Sequence, residues 1–272
     1  MIGPDLKDPR VKAWRISDDG ETLAVGRDNG DIEIWNLKTG QLDKSFAHVS
    51  ARIAHLAFSQ NATLLAAASE RPTTATDHAT LRIWDTASGA VEGTYTNAFG
   101  PLAFSSDRLR LVSTRLDGRV VIWDLGSGRS VAEIEENFTW IGALALSPDG
   151  RLLVTGSEEP VVNISDLASG KRIDSLKGSR ICVIGVAFTP DAKTLATSTV
   201  DGAMKFWHAA TGKEIFTLGP LNPVHSFLFS PNGEYLAITR ESETRGERRV
   251  ELWRAPSFEE IIAAEKGKAR AR

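Results

Sequence analysis

The sequence predicts an all-β fold built from six repeated units, each a small sheet of up to four strands. Three observations predict it. A serine or threonine that opens a polar turn recurs at Ser17, Ser59, Ser105, Ser147, Thr189 and Ser230, at intervals of 42, 46, 42, 42 and 41 residues. Behind it a tryptophan recurs at Trp35, Trp84, Trp123, Trp207 and Trp253, with Ser165 holding that place in the fourth unit. A glycine stands five residues after each of the first five of these positions, at Gly40, Gly89, Gly128, Gly170 and Gly212. Three columns in register across 272 residues mark a repeat. A period of about 40–45 residues with four short strands per unit reads as the blade of a β-propeller.

The elements follow in order within a unit. In the fifth, the apolar run Val183–Phe188 is a first strand, ended by the turn Thr189-Pro190-Asp191-Ala192. Thr194–Thr199 is a second strand, and Asp201-Gly202 turns into a third that ends at Trp207. Thr211-Gly212 turns into a fourth, Glu214–Leu218. Proline pre-sets the turn angle, and Asp or Asn with Gly accepts the conformation other residues avoid. Applied along the chain, the pattern places blades near 11–48, 52–96, 98–136, 140–178, 182–219 and 223–256, within a propeller spanning 1–256. After Trp253 no fourth strand follows. Ser257 and Glu260 instead form a capping box, and Phe258, Ile261 and Ile262 recur at helical spacing. A short C-terminal helix and a basic tail are therefore expected over 257–272. At the other end Ile2-Gly3-Pro4 aligns with Leu218-Gly219-Pro220, so the first residues read as the tail of a fourth strand whose body is missing. Both ends suggest the C-terminal portion of a larger propeller. A six-bladed ring left open at its last blade is the alternative, and the residues leave six or seven blades open.

Trp84-Asp85, Trp123-Asp124, the turn Ser147-Pro148-Asp149-Gly150 and the closing Thr-Gly or Ser-Gly pairs resemble the WD-repeat family over roughly 11–253. Alanine-rich strands and the ending Leu252-Trp253-Arg254-Ala255-Pro256-Ser257 resemble its bacterial-type multi-repeat members. That resemblance implies a protein-binding platform, sometimes within a longer chain that carries a signalling domain. The chain departs from the family in lacking the Gly-His pair ahead of each blade, His48 being the nearest match. The family's hydrogen-bonded Asp-His-Ser-Trp network is thus expected to be mostly missing, with apolar packing in its place.

Little in the sequence points to chemistry. The hydrophobic fraction is 42% and the charged fraction 25%, which are globular values. A net charge of −3 lacks the whole-chain basic signature of nucleic-acid binders. The single cysteine, Cys182, excludes an intrachain disulfide and reads as an inert thiol beside Val183-Ile184. No apolar run reaches the length of a membrane helix. The five histidines fall in different columns without ligand spacing, and neither a phosphate-binding loop nor a Gly-x-Ser-x-Gly elbow occurs. No catalytic residue, metal or cofactor is expected. The alternative, a metal-dependent propeller hydrolase or lactonase, would need polar groups on the inner strands, whose composition is mostly apolar with Arg15, His55 and Ser226 as scattered exceptions.

The expected function is a non-catalytic protein–protein interaction scaffold in the cytoplasm, forming the C-terminal part of a larger propeller or signalling protein. Its partners would be other proteins or peptides, with an upstream blade or signalling domain in the full-length chain; neither a membrane nor nucleic acid is expected. Two columns should share one rim: the entry to each first strand, which includes Arg52 and Trp140, and the exit of each second strand, which includes Arg27, Arg115 and Arg240. Glu70 and Glu158 stand beside the second column. Arg and Trp dominate interface energetics, so Trp140 with Arg52, Arg115 and Arg27 is the candidate anchor patch. The competing reading has Trp140 packing down on its own blade. Two insertions, Glu70 to Thr80 and Glu241 to Arg249, extend the loops between second and third strands on that rim.

Overall fold

Every polar turn closes a hairpin, and the recurring hydroxyl explains why. In the computed structural model, Ser147 Oγ donates to Asp149 at 2.5 Å and accepts from the Leu152 amide at 2.8 Å, sealing the turn between a first and a second strand. Ser105, Thr189 and Ser230 repeat both bonds with Asp107, Asp191 and Asn232 and the first amide of the next strand. Ser59 keeps only the second of them, to the Leu64 amide. The glycine column closes the other hairpins: Gly40, Gly89, Gly128, Gly170 and Gly212 have φ between 63° and 77°, where a side chain would be strained.

The structure describes residues 4–6, 8–47, 52–70, 80–136, 138, 140–178, 181–219, 224–241 and 248–254. They form six antiparallel sheets. Sheet 1 is β1 (Val11–Ile16), β2 (Thr22–Arg27), β3 (Asp31–Asn36) and β4 (Gln41–Ala47). Sheet 2 is β5 (Ile53–Phe58), β6 (Leu64–Ser69), β7 (Thr80–Asp85) and β8 (Val91–Thr96). Sheet 3 is β9 (Ala98–Phe104), β10 (Arg110–Arg115), β11 (Arg119–Asp124) and β12 (Arg129–Glu135). Sheet 4 is β13 (Ile141–Leu146), β14 (Leu152–Ser157), β15 (Val161–Asp166) and β16 (Arg172–Lys177). Sheet 5 is β17 (Val183–Phe188), β18 (Thr194–Thr199), β19 (Met204–His208) and β20 (Glu214–Leu218). Among the described residues sheet 6 has three strands, β21 (Val224–Phe229), β22 (Tyr235–Glu241) and β23 (Arg248–Arg254). The only helical turn among the described residues is a 3-10 turn at Gln60–Ala62. The expected C-terminal helix and, of the aligned first residues, Ile2 and Gly3 lie outside the described residues.

The first strands stand side by side around an axis, β1 beside β5, then β9, β13, β17 and β21. They enclose a central cavity of about 850 Å³. Five apolar clusters join each sheet to the next. Sheet 1 meets sheet 2 through Ala24, Ile32, Ile34 and Phe46 on one side and Ile53, Leu65, Ala67 and Trp84 on the other. The same columns recur at each interface, up to Ala196, Met204 and Phe206 of sheet 5 against Val224, Leu236 and Ile238 of sheet 6. A sheet thus presents one face forward and the other backward, as the alternation of side chains along a strand requires. No comparable packing joins β21 to β1 among the described residues.

One expectation needs correction. The tryptophans do not rely on apolar packing alone. Trp123 Nε1 donates to Ser113 Oγ at 2.8 Å, and Trp207 Nε1 to Thr197 Oγ1 at 3.0 Å. Where the second strand offers Val25 or Ile238 at that position, Trp35 and Trp253 donate instead to Glu33 and Glu251 on their own strand. An indole N–H taken out of water needs an acceptor, and in these four sheets a hydroxyl on the second strand or a glutamate on the third supplies it.

Candidate interaction rim

The two rim columns are brought together by backbone bonds. The amides of Asp28, Glu70 and Val200 donate to the carbonyls of Arg10, Arg52 and Cys182, at 2.9, 2.8 and 3.3 Å. Each first strand also carries a register shift where it pairs with the second, near its start in five sheets and further along in sheet 3. Such bulges twist the strand and re-aim its side chains.

The candidate residues divide into two groups. Arg52 and Glu70 pair across the rim at 3.0 Å and are both well exposed. Trp140 stands at the equivalent of Arg52, and its amide donates to Glu158 Oε2 at 3.1 Å, so Glu158 reaches back as Glu70 does. The Trp140 ring lies over Gly142 of its own blade: a Cβ there would come within 2.1 Å of it. It nevertheless keeps 40% of its surface exposed. The other three arginines are turned to structural work. Arg27 binds Glu33 at 2.8 Å and Asp8 at 3.1 Å. Arg115 binds Glu133 at 2.9 Å, and Arg240 binds Glu251. Their charge is neutralised, and Arg27 and Arg240 are largely buried. Hydrogen bonds from Arg10 and Arg27 hold the Asp8 carboxyl far below the usual carboxylate range. The insertions fall mostly outside the described residues, over 71–79 and 242–247.

Sequence reasoning missed a buried network between sheets 3 and 4. The Glu136 carboxylate, fully buried, accepts from Thr155 Oγ1 at 3.0 Å, from Asn163 Nδ2 and from Arg172 Nη2 at 3.0 Å. Ser175 Oγ donates to Asn163 Oδ1 at 2.7 Å. This is the blade whose tryptophan is replaced by Ser165. Thr155 occupies the position of Ser113 and Thr197, and in place of an indole it meets a carboxylate. A signal was present: Glu136 stands 11 residues before Ser147, as His48 stands 11 before Ser59.

The inner wall holds little reactive chemistry. Ala57, Ala103, Ala145 and Ala187 occupy one column of the cavity lining, with Arg15 and Leu228 in the first and last sheets. His55 sits on this inner layer, and burial pushes its imidazole down to about 4 against a weak opposing pull from Glu70. Among the described residues, no three His, Cys, Asp or Glu side chains converge as a metal site, and no helix is long and apolar enough to cross a membrane.

Comparison with known proteins agrees with this geometry. The family described as WD domain, G-beta repeat matches residues 128–164 and 170–208. Two such repeats are matched within 128–208, and the arrangement of the six sheets is that of a β-propeller. The chain is similar to the WD repeat-containing protein 91 homolog of Dictyostelium discoideum, at 29% identity over 49% of this chain and 18% of that one. It is also similar to the periodic tryptophan protein 2 homolog of Schizosaccharomyces pombe, at 29% identity over 44% of this chain and 14% of that one. The propeller thus spans less than a fifth of the length of these relatives. A chain in the crystal structure of a mitotic checkpoint complex shares the fold, with a TM-score of 0.77 and 22% identity over 91% of this propeller and 75% of that chain. None of these matches bears on the bacterial-type resemblance.

Proposed function

We propose that the propeller is a non-catalytic protein–protein interaction scaffold, working in the cytoplasm as part of a larger propeller or signalling protein. Its contact surface is the rim around Trp140, Glu158, Arg52 and Glu70. The observation that carries this reading is the indole of Trp140, held by Gly142 yet partly exposed. A rigid aromatic held in place by the scaffold loses little entropy on binding, which suits an anchor. Arg52 and Glu70 add one exposed ion pair that a partner can exchange for its own charges. The rim is far less cationic than the count of its arginines, which supports a protein partner over a polyanion. WD-repeat relatives and a fold-mate within a multi-protein complex support the same class of role.

The test is Trp140→Ala, assayed against the partner that co-purifies with the propeller from its source. Binding should weaken by about 2 kcal/mol, roughly 30-fold. The thermal midpoint should fall by no more than a few degrees, because the ring is already partly solvated. Unchanged affinity with a large loss of stability would assign Trp140 to its own blade and remove the anchor.

A further inference from the structure

We propose that the cleft between sheets 3 and 4, beside the buried Glu136, binds a small zwitterion, an α-amino acid with an aromatic side chain. Trp140 is not among the walls of this cleft, so the site goes beyond the scaffold reading and stands apart from its anchor.

The cleft exists because the fourth repeat departs from its neighbours. The face of sheet 4 toward sheet 3 carries Val161, Asn163 and Ser165 on β15, paired with Lys177, Ser175 and Arg172 on β16. In sheet 5 the equivalent face is covered by the Trp207 ring, with Lys205 Nζ 5.6 Å from its centre and bonded to Glu214. The edge of that ring comes up to Gly178, where a Cβ would lie 3.3 Å from it. One repeat earlier, Glu136 stands at the place of Gly178 and Ser165 at the place of Trp207. Without a ring to cover it, the face opens into a cleft of about 280 Å³. That is just below the roughly 300–1,000 Å³ of drug-sized sites, and suits a molecule as small as an amino acid.

Four charged groups line the cleft, two of each sign. Glu136 and Arg172 bind each other at 3.0 Å and neutralise one another. Glu159 and Lys177 are exposed, and neither side chain has a partner among the described residues. Equivalent columns show why Lys177 is unpaired. In sheet 3 Glu135 of the fourth strand meets Arg119 of the third at 2.8 Å. In sheet 4 the equivalent pair is Lys177 and Val161, so the cation faces an aliphatic side chain in place of a counter-charge. Arg172 donates to Glu135 and Glu136 through Nη2 alone, and the rest of its guanidinium has no protein partner among the described residues. Two opposite charges thus border one cleft without meeting. A carboxylate between Arg172 and Lys177, with an ammonium on Glu159, satisfies all three groups by charge-assisted hydrogen bonds, which are the strong ones. A lone anion or a lone cation leaves one of them unmet. The side chain of the ligand meets the remaining walls, Phe138 and Val161. An aromatic ring suits Phe138, since ring pairs contribute beyond the area they bury.

The test is calorimetric titration of the 272-residue chain with L-phenylalanine and with two analogues that each lack one charge, phenylacetate and phenethylamine. L-phenylalanine should bind saturably at one site, and each analogue should bind at least about tenfold more weakly, the loss expected when a hydrogen bond to a charged group is removed. Lys177→Gln should weaken L-phenylalanine and phenylacetate and leave phenethylamine unchanged. Glu159→Gln should weaken L-phenylalanine and phenethylamine and leave phenylacetate unchanged. Both variants should keep the parent's thermal midpoint, because neither side chain has a partner to lose among the described residues. Absence of saturable L-phenylalanine binding would overturn the site. Equal affinity for either analogue would overturn the zwitterion, and parental affinity in both variants would overturn the location. Trp140→Ala, the variant that probes the rim, should leave L-phenylalanine binding intact. Loss of binding there would move the ligand to the rim and overturn the cleft, whereas loss of partner binding alone bears only on the scaffold.

Discussion

His55 shows how one largely enclosed side chain makes stability depend on pH. It lies on β5 opposite Ala68, on the side of sheet 2 that meets sheet 3, where alanines leave room for an imidazole. Burial lowers its pKa to about 4, so it is neutral in the folded protein at neutral pH. The unfolded chain takes up the proton near pH 6.5. A folded pKa that is depressed contributes stability above the unfolded value and loses it as the pH falls. The His55 contribution is therefore complete above about pH 6.5, shrinks down to about pH 4, and is flat below. The carboxyls of Asp107, Asp149 and Asp191 are held below their ordinary range by hydroxyl donors from the turn, so their loss is concentrated below about pH 5 and overlaps only the lower end of this window. We expect the thermal midpoint to drop between pH 7 and pH 4.5, and His55→Gln to remove most of that drop. Equal drops in both proteins would mean that His55 is solvated.

At the scale of a blade, the fourth unit exchanges an indole for a carboxylate network, and the exchange has a measurable cost when broken. Glu136→Ala leaves Thr155 and Asn163 buried without their acceptor and Arg172 without its counter-charge. Loss of one member of such a network should cost about 3 kcal/mol. Glu133→Ala, which removes a half-exposed partner of Arg115 and Arg119, should cost at most about 1 kcal/mol. Urea unfolding of the two variants makes the comparison, and equal costs would show that the Glu136 network is dispensable. The same contrast explains what was legible in the sequence. Ser147, Asp149 and Leu152 bond within one turn, so their spacing alone reveals them. Trp123 and Ser113 lie on paired strands, but their roles depend on the register of β10 with β11. Glu136 follows the last strand of sheet 3 and Asn163 lies in sheet 4, 27 residues on, and only the assembled interface shows that they touch. The ion pairs of Arg27, Arg115 and Arg240 were hidden for the same reason, since Arg27 and Glu33, for example, become partners only through the pairing of β2 with β3.

For the whole molecule, the decisive quantity is the number of neighbours a sheet has. Val250-Glu251-Leu252 and Ile32-Glu33-Ile34 have the same pattern in sequence, and nothing local distinguishes them. One is bare and the other buried because sheet 1 has a following neighbour and sheet 6 has none among the described residues. In a structure of stacked repeats, stability is close to a sum of sheet terms and nearest-neighbour terms, so equivalent substitutions should differ by position in the series. Ile122 packs between sheets 3 and 4, and Ile122→Ala should cost about 3 kcal/mol from lost burial and the cavity left behind. Leu252→Ala occupies the same column but removes a side chain that is already in water, so in the 272-residue chain its cost should stay within about 0.5 kcal/mol. Chemical denaturation of both variants measures the difference directly. A large cost for Leu252→Ala would show that its sheet already has a neighbour, closing the ring at six.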